Sequence, residues 1–351
     1  MSKSRVRIVV CLLLSAVVAA CSSASESAVP EAVAAPATVD ETSEQDANAA
    51  EPSEFEPAPT ATEPELDEGL KLLAHRGVHQ TYNTDGLDDQ TCTATRIDHH
   101  VHDYIENTLP SIEAAFAAGA GVVEIDIAPT ADGVLAVFHD WEVGCRTNSS
   151  GDIRSFSWDE LSNLDIGYGY TADGETYPLR GKGQGLMPRL EDVFAAFPEG
   201  QFLINFKSND VAEAALLQAV VEAEDAADQV WAVYGRRADG VVDAYVAATK
   251  TRGFTLDSVA ACLGEYIAAA DSDLLLAACK DTVVIVPLDV APILAGWPDA
   301  FIQRMERHGT DVIVSGPGLA HLTGIDSKAE LDLLPPELNV YVWTNKIEAL
   351  T

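Results

Sequence analysis

From residue 71 to the C-terminus, short runs of branched and aromatic apolar residues alternate with amphipathic, often alanine-rich segments. Leu72–His75, Val122–Ile127, Phe202–Lys207, Val230–Tyr234, a run near Phe254, Val283–Pro287, Val312–Ser315 and Val340–Trp343 read as strands. Helical spacing marks Ile112–Gly119, Trp158–Leu164, Leu190–Phe197, the stretch after Asp210, Gly240–Thr249, Ala260–Ala269 and Pro298–His308. Strands this apolar, alternating with helices, predict a parallel sheet covered on both faces. About 280 residues of such alternation without an internal repeat favour a TIM (β/α)8 barrel over an open doubly wound sheet. One junction departs from the pattern. Only Ala-Pro-Thr-Ala-Asp-Gly lies between Ile127 and Val134, too short for a helical crossover. Asp132-Gly133 is a turn signal, so a hairpin is expected there, with His139 opposite the start of the Val122 strand, on the Glu124 side. Gly77 to Ile105 shows no periodicity and reads as a long loop insertion after the first strand.

The barrel domain is therefore placed at residues 71–351. Ahead of it, Lys3, Arg5 and Arg7 precede an apolar run, Ile8–Ala20, that is short for a membrane span and flanked like an export signal. Residues 1–20 are read as that signal. Val18-Ala19-Ala20-Cys21 resembles the lipobox of bacterial lipoproteins, in which the signal is cut before the cysteine and Cys21 would carry the lipid. An ordinary secretory signal with a chance cysteine is the alternative. Either reading puts the mature protein outside the cytoplasm, and the lipobox makes the membrane a partner through the anchor, facing periplasm or cell exterior.

Residues 21–70 are read as an acidic, Pro/Ala-rich disordered tether, with no Lys or Arg to oppose its 13 acidic residues. The chain carries −35 overall and the signal three basic residues, which leaves the domain near −25. Such a surface argues against nucleic acid or anionic lipid as a partner. A phosphate-binding site in this chain has to be a local cationic pocket. Cys92, Cys145, Cys262 and Cys279 remain in the domain, an even number in an exported chain. Four cysteines allow three pairings, and Cys92–Cys145 with Cys262–Cys279 is the favoured one.

Glu124 and Asp126 are two apart and project from one face of a strand. Directed into a barrel, two carboxylates raise each other's pKa unless a cation neutralises them. An all-oxygen set suits Ca²⁺ or Mg²⁺. His75 and His139 each end a strand, the position of catalytic groups in barrels, and two histidines beside a carboxylate pair suggest general acid–base work. Arg76 offers a planar fork for phosphate and Lys207 a point charge. His99-His100-Val101-His102-Asp103 reads as a solvated loop, and Gly181–Gly185 as a mobile active-site loop, with Lys182 a candidate for touching substrate.

His75-Arg76-Gly77, Glu106-Asn107-Thr108, Val123-Glu124-Ile125-Asp126, Thr130 with Asp132-Gly133, and Phe138-His139-Asp140 follow in the order of the glycerophosphodiester phosphodiesterase family. Asp165-Ile166-Gly167, Pro188 with Leu190, Phe206-Lys207 and Val342-Trp343-Thr344-Asn345 extend this resemblance over nearly the whole chain after residue 70. It implies a TIM barrel of the PLC-like phosphodiesterase type and metal-dependent hydrolysis of a glycerophosphodiester to sn-glycerol 3-phosphate and an alcohol. By position His75 and His139 would be the acid–base pair, and Glu124 and Asp126 metal ligands. Arg76 and Lys207 would hold phosphate, Asn107 would fix the first loop or the substrate, and Trp343 would form pocket wall. Members usually place a glutamate where this chain has Asn205, which makes Asn205 the third candidate ligand and predicts weaker metal binding. Many members also have a further strand after the position of Trp343, and Val312–Ser315 is expected to take that place in a rearranged order. The competing readings are a related barrel phospholipase, sphingomyelinase D-like or phosphatidylinositol-specific, and a barrel that binds phosphodiesters without turnover.

Overall fold

A single nine-stranded sheet organises the computed structural model, which describes residues 69–87, 91–236, 238–269, 275–318 and 323–351. The expected export signal, the Cys21 anchor and nearly all of the tether lie outside the described residues. Among those residues, no helix is long and apolar enough to cross a membrane.

The sheet is built from β1 (Lys71–His75), β2 (Ala120–Pro129), β3 (Leu135–Val137), β4 (Phe202–Phe206), β5 (Val230–Gly235), β6 (Arg252–Thr255), β7 (Val283–Pro287), β8 (Asp311–Ser315) and β9 (Tyr341–Thr344). Eight are parallel, in the order β6-β5-β4-β2-β1-β9-β8-β7. They form a nearly closed TIM barrel. The seam between β6 and β7 is bridged by side chains: Thr282 Oγ1 donates to Gly253 O at 2.8 Å, and Arg252 reaches across to Asp311 at 2.8 Å. The helices between the strands are α1 (Leu109–Ala117), α2 (Trp158–Leu161), α3 (Leu190–Ala196), α4 (Ala212–Ala223), α5 (Asp239–Thr249), α6 (Leu256–Ala269), α7 (Asp299–Arg307) and α8 (Lys328–Leu331). Thr108 caps α1 by accepting from Ser111 N, Pro110 occupies its first turn, and Gly119 leaves at φ +86°. The strands are buried on both faces because helices cover the outside and side chains fill the barrel.

The order near the C-terminus differs from the expectation. Val312–Ser315 is not displaced: β8 lies between β7 and β9, and β9 closes on β1 with Leu73 opposite Trp343. Sequential right-handed crossovers leave β9 only the open place beside β1. The hairpin after β2 is present, with Ile127 opposite Val137. Its pairing covers only the C-terminal end of β2, and Phe138 N–H donates to Asp126 O at 3.0 Å. His139 therefore leaves the sheet beside Asp126, instead of pairing back toward the start of the strand. Asp140, beyond the ladder, forms an ion pair with Arg146 at 2.8 Å.

Both disulfides have the favoured pairing, Cys92–Cys145 and Cys262–Cys279. The first joins the long loop after β1 to the segment after β3, over a second apolar cluster that includes Ile97, Ile105, Phe138, Val143, Ile153 and Leu179. This satellite core covers one side of the barrel's C-terminal face.

Candidate active site

His75, Glu124, Asp126, Asn205 and Tyr234 come from the C-terminal ends of adjacent strands. Parallel register aligns His75 with Glu124, Asp126 with Asn205, and Asn205 with Tyr234. Lys207 follows β4 directly, and Asn345 follows β9. Hydrogen bonding in parallel strands thus gathers residues 270 positions apart into one layer, the position of active sites in barrels.

Arg76 and Asn107 turn the chain inward at this layer, each at φ +60°, in the left-handed region that non-glycine residues rarely occupy. Arg76 N–H donates to Glu124 O, Asn107 N–H to Arg76 O, and Ser111 Oγ to Arg76 O, each at 3.0 Å. Gly77 completes the turn at φ +76°, and a Cβ there would stand 2.2 Å from Ser111 Oγ and 2.7 Å from its carbonyl oxygen. Gly77→Ala therefore should destabilise the fold by at least about 1–3 kcal/mol and displace Arg76. A lowered urea midpoint is the expected measurement; an unchanged midpoint contradicts it.

Asp126 is the electrostatic centre. Its Oδ1 accepts from Asn205 Nδ2 at 2.8 Å and Lys207 Nζ at 3.3 Å. Its Oδ2 accepts from Asn107 Nδ2 at 2.9 Å and makes an ion pair with Arg76 Nε at 3.0 Å. Burial alone would raise this carboxyl, but Lys207 and Arg76 outweigh it and hold it well below the usual carboxylate range. Glu124 has the opposite balance. Burial and then the Asp126 charge push it up to about 8. Tyr234 donates to Glu124 Oε1 at 2.6 Å, while Oε2 is buried without a hydrogen-bond donor.

The two histidines are held differently. His75 Nδ1 meets Asn345 Oδ1 at 2.7 Å, and Asn345 is itself turned by Nδ2 donating to Asp326. The amide oxygen can only accept, so the His75 proton sits on Nδ1 and Nε2 is the free lone pair, 3.9 Å from Glu124 Oε2. Burial and the Arg76 charge hold this ring well below the ordinary histidine range. His139 Nδ1 lies 2.5 Å from Asp140 Oδ1. Burial and then Arg76 lower its pKa too, although the carboxylate favours the imidazolium.

The structure thus brings His75, Arg76, Asn107, Glu124, Asp126, Asn205, Lys207 and His139 to one end of the barrel. Asn107 contacts Asp126 through both ends of its amide, Nδ2 to Oδ2 and Oδ1 from Asp126 N, so it fixes the carboxylate. Trp343 is fully buried behind His75, with ring centroids 4.8 Å apart. Lys182 binds Asp103 at 2.7 Å on the exposed surface. Among the described residues no three His, Cys, Asp or Glu side chains are grouped to hold a metal, either around Glu124 and Asp126 or in the His99–Asp103 stretch, where His100 meets Asp103 at 2.9 Å. Roles for Glu106, Asp140, Arg146, Tyr234, Asp326 and Asn345 escaped the sequence reading. Glu106, Asp140 and Asn345 lie inside the family motifs. Arg146 carries a weaker signal, a cation beside a paired cysteine in a chain with only 21 Lys and Arg.

Comparison with known proteins gives the fold and the family. The chain is 33% identical over 104 residues to a glycerophosphodiester phosphodiesterase from Caldanaerobacter subterraneus, and 30% identical over 105 residues to one from Bacillus altitudinis. Those alignments cover 29% and 30% of this chain, and about two fifths of the relatives, 39% and 40%. Among solved structures, a glycerophosphoryl diester phosphodiesterase domain from Mycobacterium tuberculosis superimposes with a TM-score of 0.56 at 16% identity, over 80% of this chain and 97% of that one. A glycerophosphodiester phosphodiesterase from Agrobacterium tumefaciens does so at 0.52 and 18%, over 80% and 98%. These likenesses carry the fold. The model of the glycerophosphoryl diester phosphodiesterase family matches residues 75–314, a span that opens on His75 and contains both carboxylates, His139 and Lys207. The chain belongs to that family.

Proposed function

We propose that this protein hydrolyses glycerophosphodiesters to sn-glycerol 3-phosphate and an alcohol, with His75 and His139 moving the protons and a divalent cation, Ca²⁺ or Mg²⁺, assisting. The observation that carries this reading is the pairing of two differently tethered histidines with Arg76 and Lys207 at one end of the barrel. Arg76 and Lys207 supply positive charge where a phosphodiester's oxygens gain negative charge in the transition state. Asp140 stabilises the imidazolium that forms when His139 accepts a proton, and Asn345 keeps Nε2 of His75 open to exchange one. Trp343 supports His75 from behind.

The residues fit one hard cation. Glu124 Oε2 is a buried oxygen without a donor; Asp126, whose oxygens are held by Asn205, Lys207, Asn107 and Arg76, would join it by releasing one of these, and the two carboxylates with a substrate phosphate would then make a set for Mg²⁺. Bound there, the ion would polarise the phosphoryl oxygen. Asn205 would join as a ligand only with its amide turned over, giving up the bond from Nδ2 to Asp126. Its neutral oxygen adds less attraction than a carboxylate, so the affinity should be modest. Asn205→Glu is expected to tighten metal binding about tenfold or more, as one added charge at a partly buried site contributes a few kcal/mol. Titration of the metal-stripped protein by calorimetry reads this directly, and equal or weaker affinity counts against it.

The activity itself is tested by incubating the protein with glycerophosphocholine, with and without EDTA, and measuring sn-glycerol 3-phosphate. Product that vanishes in chelator and returns with Ca²⁺ or Mg²⁺ is the expected result. Undiminished product in chelator sinks the metal assignment. No product with metal present, together with tight substrate binding, favours the barrel that binds without turnover. In the export reading, this chemistry takes place at a membrane surface, with Cys21 as the lipid-bearing residue.

A further inference from the structure

Arg146 is a buried cation outside the group that would face the substrate, yet it is bonded to both halves of that group. Its Nε forms an ion pair with Asp140 Oδ2 at 2.8 Å, and Asp140 holds His139. Its NH1 pairs with Glu106 Oε2 at 3.2 Å, and the other oxygen of Glu106 binds Arg76 NH1 at 3.0 Å. Tyr170 OH accepts from NH1 at 2.9 Å, and Thr93 Oγ1 accepts from NH2 at 2.7 Å. One planar group therefore sets the spacing between the carboxylate behind His139 and the carboxylate behind Arg76. A lysine in its place has a single point of charge and cannot span both.

The Cys92–Cys145 disulfide bears on the same group from the backbone. Cys145 immediately precedes Arg146, and Cys92 immediately precedes Thr93, so the bond ties together the two segments that supply the guanidinium and one of its acceptors. Cys262–Cys279, by contrast, joins α6 to the turn before β7, away from this network.

We propose that Arg146 is a positioning residue that fixes His139 relative to Arg76, and that the Cys92–Cys145 disulfide is the fixture that holds Arg146 in place. This rests on the roles proposed above for His139 and Arg76. An arginine that merely stabilised the loops would alter melting temperature without separating kcat from KM.

The test uses the full, oxidised protein and three variants: Arg146→Lys, Cys92→Ser with Cys145→Ser, and Cys262→Ser with Cys279→Ser. Melting temperature, kcat and KM on glycerophosphocholine, and the Kd of inorganic phosphate are measured for each, at a temperature where all remain folded. For Arg146→Lys, kcat is expected to fall by about 10²-fold, the scale of an ångström-sized misplacement, while KM rises far less and phosphate binds several-fold more weakly. The Cys92/Cys145 variant should lose kcat in the same sense. The Cys262/Cys279 variant should lose melting temperature and keep its kcat.

A folded Arg146→Lys protein with wild-type kcat overturns the positioning role. Equal loss of kcat in both disulfide variants overturns the fixture, since that would be general destabilisation. If the wild-type protein releases no glycerol 3-phosphate, the functional reading has failed instead. In that case, phosphate binding left unchanged by Arg146→Lys overturns the positioning of Arg76.

Discussion

Replacing His139 by alanine is expected to lower kcat on glycerophosphocholine by 10²–10⁴-fold, the range that a positioned acid–base group contributes, with little change in KM. The ring is only partly enclosed, its side chain 23% exposed, so deletion opens no deep cavity in the apolar core. Asp140 keeps its ion pair with Arg146 when the ring is gone, so no buried carboxylate is left without a cation. The loss should therefore appear in turnover with the fold intact. Asp140→Asn gives a second view of the same atoms. An amide in place of the carboxylate no longer stabilises the imidazolium, so turnover should fall with the ring still present. Circular dichroism and the rate of glycerol 3-phosphate release decide both variants, and a folded His139→Ala protein at full activity removes the residue from the mechanism.

Arg76→Met should have the other large effect, on binding and stability together. Arg76 pairs with Asp126 at 3.0 Å and with Glu106 at 3.0 Å, all three groups being buried. Removing one partner of a buried pair typically costs about 3–5 kcal/mol, and the lower end is expected here, because Asp126 keeps Lys207 at 3.3 Å and Glu106 keeps Arg146 at 3.2 Å. That is a large share of the 5–15 kcal/mol by which domains are commonly stable. The proposed phosphate site also loses its only forked donor among the residues that meet here, so phosphate affinity should collapse.

The pH dependence has a definite sign. Burial opposes ionisation of Glu106, but Arg146 and Arg76 outweigh it and hold the carboxyl below its ordinary value. A carboxyl depressed in the folded state contributes stability that is present above its unfolded pKa of about 4.3 and lost as pH falls through the lower folded value. Without Arg76 the folded value of Glu106 rises toward the unfolded one, its stabilising contribution shrinks, and the acid limb becomes smaller and ends at higher pH. Urea unfolding across pH 3–7 measures the shift. A variant that matches the wild-type curve contradicts the ion-pair account.

The fold and much of the site were legible in the residues themselves. Alternating strand and helix patterns and the Asp132-Gly133 turn have local physical causes. Local causes act over a few residues and survive translation into sequence. Glu124 and Asp126 could be read as an inward-facing pair because strand periodicity alone puts both on one face, and two charges on a covered face require a reason.

The tertiary structure decided what long-range contact alone can decide. Tyr234 occupying Glu124, Asn345 fixing the His75 tautomer, and Asn205 turning its amide nitrogen to Asp126 each depend on the register of neighbouring parallel strands. Parallel pairing brings together residues up to 270 positions apart, and no local pattern encodes it. The place of β9 beside β1 was set by closure of the barrel. Arg146 is the clearest case: its sequence neighbours reveal only a disulfide, while its importance comes from two carboxylates on separate loops that desolvation forces to share one cation. Sequence determined which side chains the chain can bury in pairs on its strands. Tertiary structure decided which charge answers which, because that balance is set by distance and burial, and both belong to the folded molecule.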